Sequence, residues 1–342
     1  VCGSPEPRCK GFVVEAEEHQ MADGHNPSTS PEWTDEIDDD QLAPSPRFTD
    51  FLRAVVTDKI MLPALLVVLV VVAVAVAPGL FAPHDPNQQS LQMRNRPPGT
   101  EAITEGEPAH LLGTDALGRD VLSRLVYGAR ISFSVGLAVV LISGTIGVTL
   151  GLVSGYYGGK LGGFIMRIVD LQMSLPSLLL ALFILFIFGG SYWNLVLVMS
   201  VTRWMVFARV TRSLVLTVRE QPYIEAARAL GLRDRRIVVR HVLPNLLSPI
   251  LILSSLEVAA AILGEAGLSF LGLGIQAPAI SWGLMLSQGR TYITSAWWLV
   301  TMPGLAILVT ALSFNLLAPG IRELTDPTNS WRWLTSSSQR AA

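Results

Sequence analysis

From Leu62 to Ala77 the chain reads LPALLVVLVVVAVAVA, sixteen residues with no charge and no hydrogen-bonding side chain. No other feature restricts the fold as much. A helix at a water boundary buries one stripe and wets the other, so a segment apolar all round belongs in a bilayer or a deep core. A bilayer core about 30 Å thick takes roughly 20 apolar residues at about 1.5 Å each. With its flanks this run extends from Ile60 to about Ala82. That is too long for the apolar part of a signal peptide, and it starts too far from residue 1. It reads as a retained transmembrane helix.

The same logic selects Ile131–Val153, Ile165–Phe188, Tyr192–Val210, Leu246–Leu263 and Trp297–Ala318, six spans in all. The second carries Gly136, Gly144, Gly147 and Gly151, small residues that let helices approach closely in lipid. The third has Asp170 near its start and Pro176 within it, and Arg203 interrupts the fourth. Charged residues make up 15% of the chain, against about 25% in soluble domains, which fits an all-α polytopic membrane protein. The net charge of −2 hides the pattern that matters. Arg47, Arg53, Lys59, Lys160 and Arg167 fall on one side. So do Arg209, Arg212, Arg219, Arg228, Arg233, Arg235, Arg236 and Arg240 after the fourth span. Arg94, Arg96, Arg119, Arg124, Arg130 and Arg290 fall on the other, and most of these sit in a long loop that the positive-inside rule discounts. Both termini are therefore expected in the cytoplasm.

Residues 1–46 are rich in Pro, Ser, Asp and Glu, too poor in apolar surface to offset chain entropy, and read as a disordered acidic tail in which Met21 is an alternative start. The remaining divisions are 47–112 for the first helix and an outer loop, 113–320 for five helices, and 321–342 for a C-terminal tail. Cys2 and Cys9 lie in the acidic tail and make neither a disulfide framework nor a zinc site. In GTDALGRDVLSRLVYGAR, Leu117, Val121 and Leu125 follow a helical period, predicting an amphipathic outer-face helix capped by Thr114 or Asp115. Asp115 and Asp120 lack the further oxygen ligands a calcium site needs, so no metal site is expected.

The loop 219–245 is the most distinctive segment. Gln221-Pro222 opens a helix, because proline at the first helical position forfeits no bond. Good helix formers run from Ile224 to Leu230, and Gly231 supplies a left-handed stop. The product is about two to three turns, too short and polar to span, with a slim Ala226, Ala227, Ala229 surface. Arginines flank it, and Leu243-Pro244-Asn245 is expected to turn the chain toward the fifth span. Taken alone, such a loop could serve merely to fix topology.

Glu225-Ala226-Ala227, Gly231 and the run His241-Val242-Leu243-Pro244 stand at a spacing that resembles the EAA motif of ABC importer permeases. HLLGTDALGRDVLSRLVYGARISFSVGL, GGFIMRIVDLQMSLPSLLLAL, GEAGLSFLGLGIQAPAISWGLML and WWLVTMPGLAILVTALSFNLLAPGIRELTDP look like the C-type permease subunit of dipeptide, oligopeptide and nickel importers. The likeness covers about residues 50–327, and Ala318-Pro319 stands where that family usually has Gly-Asp. It implies the type I ABC importer permease fold in a bacterial cytoplasmic (inner) membrane. The loop would be a coupling helix, with Glu225, Ala226, Ala227, Gly231, His241 and Pro244 as its contact to an ATPase. It also implies a B-type permease as heterodimer partner, two cytoplasmic ABC ATPase subunits and an extracytoplasmic solute-binding protein, with nucleic acid not among the partners. Peptides are the implied cargo, nickel or another small solute the alternative.

The chain contains no G-x-x-x-x-G-K-[ST] phosphate cradle, so ATP and Mg would be bound by the partner ATPases, and no catalytic residue is expected here. Charges at membrane depth are functional candidates, which makes Asp170, Arg203, Glu257 and Glu265 candidate pathway-lining groups. Snorkelling or pairing within the bundle accounts for them equally well. An ion-coupled secondary transporter would use Asp170, Glu257, Glu265 and His241, but six spans without an inverted repeat argue against it. A membrane-embedded enzyme lacks a His/Glu metal spacing or a Ser/His pair at membrane depth, and a scaffold would be indifferent to changes in the loop.

Overall fold

A computed structural model describes residues 61–103, 106 and 108–325. The acidic tail 1–46, the basic residues Arg47, Arg53 and Lys59, and the tail beyond 325 lie outside the described residues. The described chain is helical, with two isolated bridges and no strand. In order it forms α1 (Met61–Val76), α2 (Pro78–Phe81), α3 (Val121–Tyr157), α4 (Gly159–Met173), α5 (Ser177–Phe188), α6 (Tyr192–Arg219) and α7 (Pro222–Ala229). There follow α8 (Asp234–Phe270), α9 (Trp282–Gly289) and α10 (Trp298–Thr325).

Among the described residues, three helices are long and apolar enough to cross a membrane alone: α3, α8 and Trp298–Gly320 of α10. Taking α4 and α5 as one broken span brings the number to four. The helix α1 is apolar over 16 described residues, and α6 is long enough but carries Arg203 and Arg209. Large apolar side chains remain exposed along the outer faces, among them Leu66, Leu69, Phe183, Phe186 and Leu308. A surface of that kind is at home in hydrocarbon or under a partner, not in water.

The bundle is organised on the crossing of α3 and α6. A Cβ added at Gly147 would lie 2.4 Å from the Trp204 carbonyl oxygen, and one at Gly151 would lie 2.6 Å from Thr211 Cβ. The two backbones approach this closely only because both positions lack a side chain. Gly136 belongs to a different contact, where its added Cβ would meet Ile262 of α8 at 2.9 Å. One core joins Val140, Phe207, Val258 and Ile262 to Trp282, Trp298 and Ile307, binding α3, α6, α8, α9 and α10.

Several expected boundaries move. The third span is not one helix: α4 and α5 meet at 84° across Ser174–Pro176. Pro176 takes an extended ψ of 112° as the cap of α5, and the residue before a proline is itself pushed out of helix. No amphipathic helix begins at Thr114. Residues Asp115 to Arg119 instead make a tight turn in which Asp115 Oδ1 accepts from the Leu117 and Arg119 amides at 2.8 and 2.9 Å. Local bonding of this kind competes with helix, and Asp120 becomes the cap, accepting from the Ser123 amide at 2.7 Å. Val121 onward is then one continuous 37-residue helix.

Pro244 does not turn the chain. The helix runs on through it to Phe270, and a π turn at Val238–Val242 precedes it. There the Leu243 amide reaches back five residues to the Val238 carbonyl. Proline lacks the N–H for a regular bond and its ring crowds the preceding turn, so a locally wider turn keeps the helix continuous. The Ala318-Pro319 departure is also absorbed within helix, since α10 continues to Thr325.

Candidate functional site

The helix α7 starts with Pro222 at its first turn and ends on Gly231 at φ +77°. The Gly231 amide donates to the Arg228 carbonyl at 3.0 Å and the Leu232 amide to the Ala227 carbonyl at 3.2 Å. This pair of bonds is a Schellman motif, which satisfies the last carbonyls and requires the left-handed conformation that glycine supplies. Compactness and sharp ending both follow from local sequence.

Ile224 and Ala227 face inward and are buried against Tyr156, Val215, Ile237, Val242 and Leu246. Those partners come from α3, α6 and α8, so the short helix is seated on three long ones at once. Tyr156 Oη donates to Asp234 Oδ1 at 2.7 Å, and the Arg228 guanidinium lies 5.9 Å from the centre of the same ring. Glu225, Ala226 and Ala229 face outward and are exposed. The two alanines of the motif therefore differ: Ala226 is available to a partner, whereas Ala227 belongs to the interior. His241 is half-buried in the π turn, where its carbonyl accepts from the Asn245 amide group at 2.6 Å, and Pro244 is exposed.

Arginines expected merely to set topology make specific bonds. Arg219 donates to the Gly155 and Tyr156 carbonyls at 3.3 and 3.1 Å, at the C-terminal end of α3. Arg212 donates to the Gly162 carbonyl at 3.1 Å and to Ser154 Oγ at 3.2 Å. A cation at a helix C-terminus satisfies orphan carbonyls and complements the dipole.

The four membrane-depth charges separate into three environments. Asp170 on α4 pairs with Arg209 on α6, both exposed. Arg203 pairs with Glu257 between α6 and α8 at 3.0 Å, partly buried. Glu265 is fully buried and accepts from Ser132 at 3.0 Å and from Ser269 at 2.7 Å. With no surface of its own in this conformation, Glu265 is held within the bundle by these two bonds. It sits at the centre of an internal polar junction, and Asp170 is the most accessible of the three acids.

At the far end of α3 lies a second polar assembly. Arg124 is buried with its Nε 3.5 Å from Asp115 Oδ2, and it donates to the Pro86 carbonyl and to Gln288. Trp298 Nε1 donates to the Thr114 carbonyl at 3.2 Å and Trp282 Nε1 to the Leu125 carbonyl at 2.9 Å. These contacts fasten the start of α3 onto α9 and the segment before it onto α10. The sequence signal was present in the Asp115, Arg119, Asp120, Arg124 spacing, but partners on helices more than 150 residues away gave it no visible purpose.

Residues 147–329 match the family model of the binding-protein-dependent transport system inner membrane component. The chain is 40% identical over 284 residues to a Pseudomonas aeruginosa protein named di/tripeptide transport system permease protein DppC, covering 83% of this chain and 93% of that one. It is 44% identical over 263 residues to the Escherichia coli K12 dipeptide transport system permease protein DppC, covering 77% and 87% respectively. Among solved structures, an inward-facing form of the MetNI methionine ABC transporter matches with a TM-score of 0.50 at 17% identity, over 59% of this chain and 96% of that one. That likeness is one of fold. The length of the family match and the identity to full-length relatives make this chain a member of the binding-protein-dependent transport system inner membrane component family.

Proposed function

We propose that this chain is the membrane-spanning permease subunit of an ATP-driven importer of short peptides, and that α7 is the element through which ATP hydrolysis is coupled to transport. The cargo is inferred from relatives named for dipeptide and di/tripeptide transport. In this reading α1, α3, the α4–α5 pair, α6, α8 and α10 make six crossings in the inner membrane, with both termini and α7 in the cytoplasm. A second permease completes the pathway, two ABC ATPases bind ATP and Mg, and an extracytoplasmic binding protein delivers the peptide.

The observation that carries the coupling role is the two-sidedness of α7. Its outer face offers the small Ala226 and Ala229 beside Glu225, so a groove in a partner can approach the backbone closely at the two alanines. Its inner face is joined through Ile224 and Ala227 to α3, α6 and α8. Packed interiors are stiff, so a displacement of α7 is passed to the long helices instead of being absorbed locally.

Ala226→Trp tests this directly, because the position is exposed and the change leaves the interior intact. In cells lacking the chromosomal copy, wild type should restore dipeptide uptake. Ala226→Trp, present at equal level in the membrane, should not. Full uptake by the variant would reduce α7 to a topology signal. Failure of wild type on peptides together with success on nickel would change the cargo and leave the coupling question open to the same substitution.

A further inference from the structure

Between α2 and α3, three side chains with metal-binding chemistry converge. His84, His110 and Asp120 each offer a ligand atom, and these atoms lie within 4.8 Å of one another. His110 Nδ1 is 2.9 Å from Asp120 Oδ1, and His84 Nδ1 is 3.8 Å from Asp120 Oδ2. The two imidazoles stack with centroids 4.5 Å apart. All three side chains are buried, at 7%, 10% and 1% exposure.

His84 makes the cluster more than a packed pair. Both of its ring nitrogens are buried with no hydrogen-bond partner among the described residues. Leaving buried polar atoms unmatched is costly, and native structures seldom do so without a ligand or solvent to satisfy them. The ring also borders a cavity of about 200 Å³ lined by Asp85, Gln88, Met93 and Gly118 as well as the three ligands. Each ligand stands on fixed backbone. The His84 amide donates to Ser123 Oγ at 3.0 Å, the His110 amide to the Thr100 carbonyl at 2.8 Å, and Asp120 caps α3.

We propose that His84, His110 and Asp120 bind a single divalent transition-metal ion of the zinc class, which braces the segment between α2 and α3 against the start of α3. Two imidazoles and one carboxylate suit a borderline ion better than calcium or magnesium, which prefer all-oxygen shells. Zinc–ligand bonds of about 2.0–2.2 Å bring the ligand atoms of a tetrahedral site roughly 3.3 Å apart, so shifts on the order of an ångström complete it. The cavity leaves room for a fourth ligand. In the sequence Asp120 stands near only one other acid, Asp115, and the two histidines reach it through the folding of the loop.

The test uses the full-length chain purified in detergent, stripped with a chelator and titrated with Zn2+ against a chromophoric competitor. Co2+ is used in parallel for its visible bands. Wild type should take up one equivalent that His84→Ala does not, with affinity at that site falling on the order of 100-fold or more, since even losing a group that only orients a ligand costs about 10–100-fold. His84→Ala leaves the Asp120 cap and its bond to His110 in place, so its unfolding temperature without metal should equal that of wild type. Zn2+ should raise that temperature in wild type alone, because a ligand specific to the folded state stabilises it. Cys2, Cys9, His19, His25 and His241 are present in both proteins, so uptake by them cancels in the comparison. Equal stoichiometry and affinity in the two proteins, or no uptake by wild type, would overturn the proposal.

Discussion

Arg203 on α6 donates from one nitrogen to Glu257 Oε2 and from another to the Ala260 carbonyl, both at 3.0 Å on α8. One guanidinium thus spans a turn of the neighbouring helix. The pair retains 26% and 11% side-chain exposure, which places it between an open surface bridge and a sealed one. Exposed pairs contribute about 0–1 kcal/mol, and breaking a buried pair costs about 3–5 kcal/mol. Arg203→Ala and Glu257→Ala should each destabilise by about 1–3 kcal/mol in thermal unfolding. The double variant should cost less than the sum, because the second change removes a partner already lost. Additive losses would mean that the two side chains are neighbours without coupling.

Glu265 anchors a relay that reaches backbone on another segment. Ser132 donates to one carboxyl oxygen and accepts from the Trp282 amide at 3.1 Å; Ser269 donates to the other and accepts from the Ile275 amide at 3.1 Å. Through two hydroxyls the carboxyl fixes both ends of the stretch between α8 and α9. Glu265→Leu should cost about 2–4 kcal/mol, the sum of two lost acceptors in a buried site. Glu265→Gln, which keeps one acceptor and can donate to the free lone pair of a serine, should cost about half of that. If both variants unfold alike, the carboxyl contributes only its volume.

The glycines of α3 look equivalent in sequence and are not equivalent in the bundle. At Gly151 an added Cβ meets the Ala208 carbonyl oxygen at 2.7 Å, whereas at Gly144 the nearest atom is a Phe207 ring carbon at 3.6 Å. Gly151→Ala should therefore force α3 from α6 and destabilise by about 1–3 kcal/mol, with Gly144→Ala neutral or slightly stabilising. Thermal unfolding of the two single variants separates them. A similar loss at both positions would show that helix flexibility, not close approach, is what glycine supplies there.

What the sequence made legible was whatever is decided locally. Pro222 and Gly231 delimit α7 because each acts on its own backbone, and the glycine spacing in α3 marks a helix that packs closely. The 84° break at Pro176 was not legible, since prolines are common inside continuous membrane helices and only the neighbours determine whether the chain bends. The same holds for Pro244, where a π turn preserved a helix that local rules would have ended. Glu265 could be recognised as unusual but not placed, because Ser132 lies on α3 and the backbone that its two serines reach lies beyond α8. The division between Ala226 and Ala227 was within reach, as Ala227 is three residues from Ile224 and shares its face.

That division, with Gly231, gives a last prediction, which distinguishes a stability effect from a contact effect inside one motif. Ala227 is buried against Tyr156 and Val215, so Ala227→Leu overfills an interior and should lower the unfolding temperature with a cost of about 1–3 kcal/mol. Gly231 has open space around its Cα, and the strain of a substitution comes only from its φ of +77°. Gly231→Ala should cost about 1–2 kcal/mol for holding a side chain in the left-handed region, and Gly231→Asn less. Ala226 is exposed, so Ala226→Trp should leave the unfolding temperature unchanged while it abolishes uptake. Measured side by side, Ala227→Leu and Gly231→Ala should impair uptake in proportion to protein lost from the membrane, and Ala226→Trp should impair it with the protein fully present. If Ala226→Trp also lowered the unfolding temperature, the outward face of α7 would be held by its own chain, and the contact with an ATPase would have to lie elsewhere.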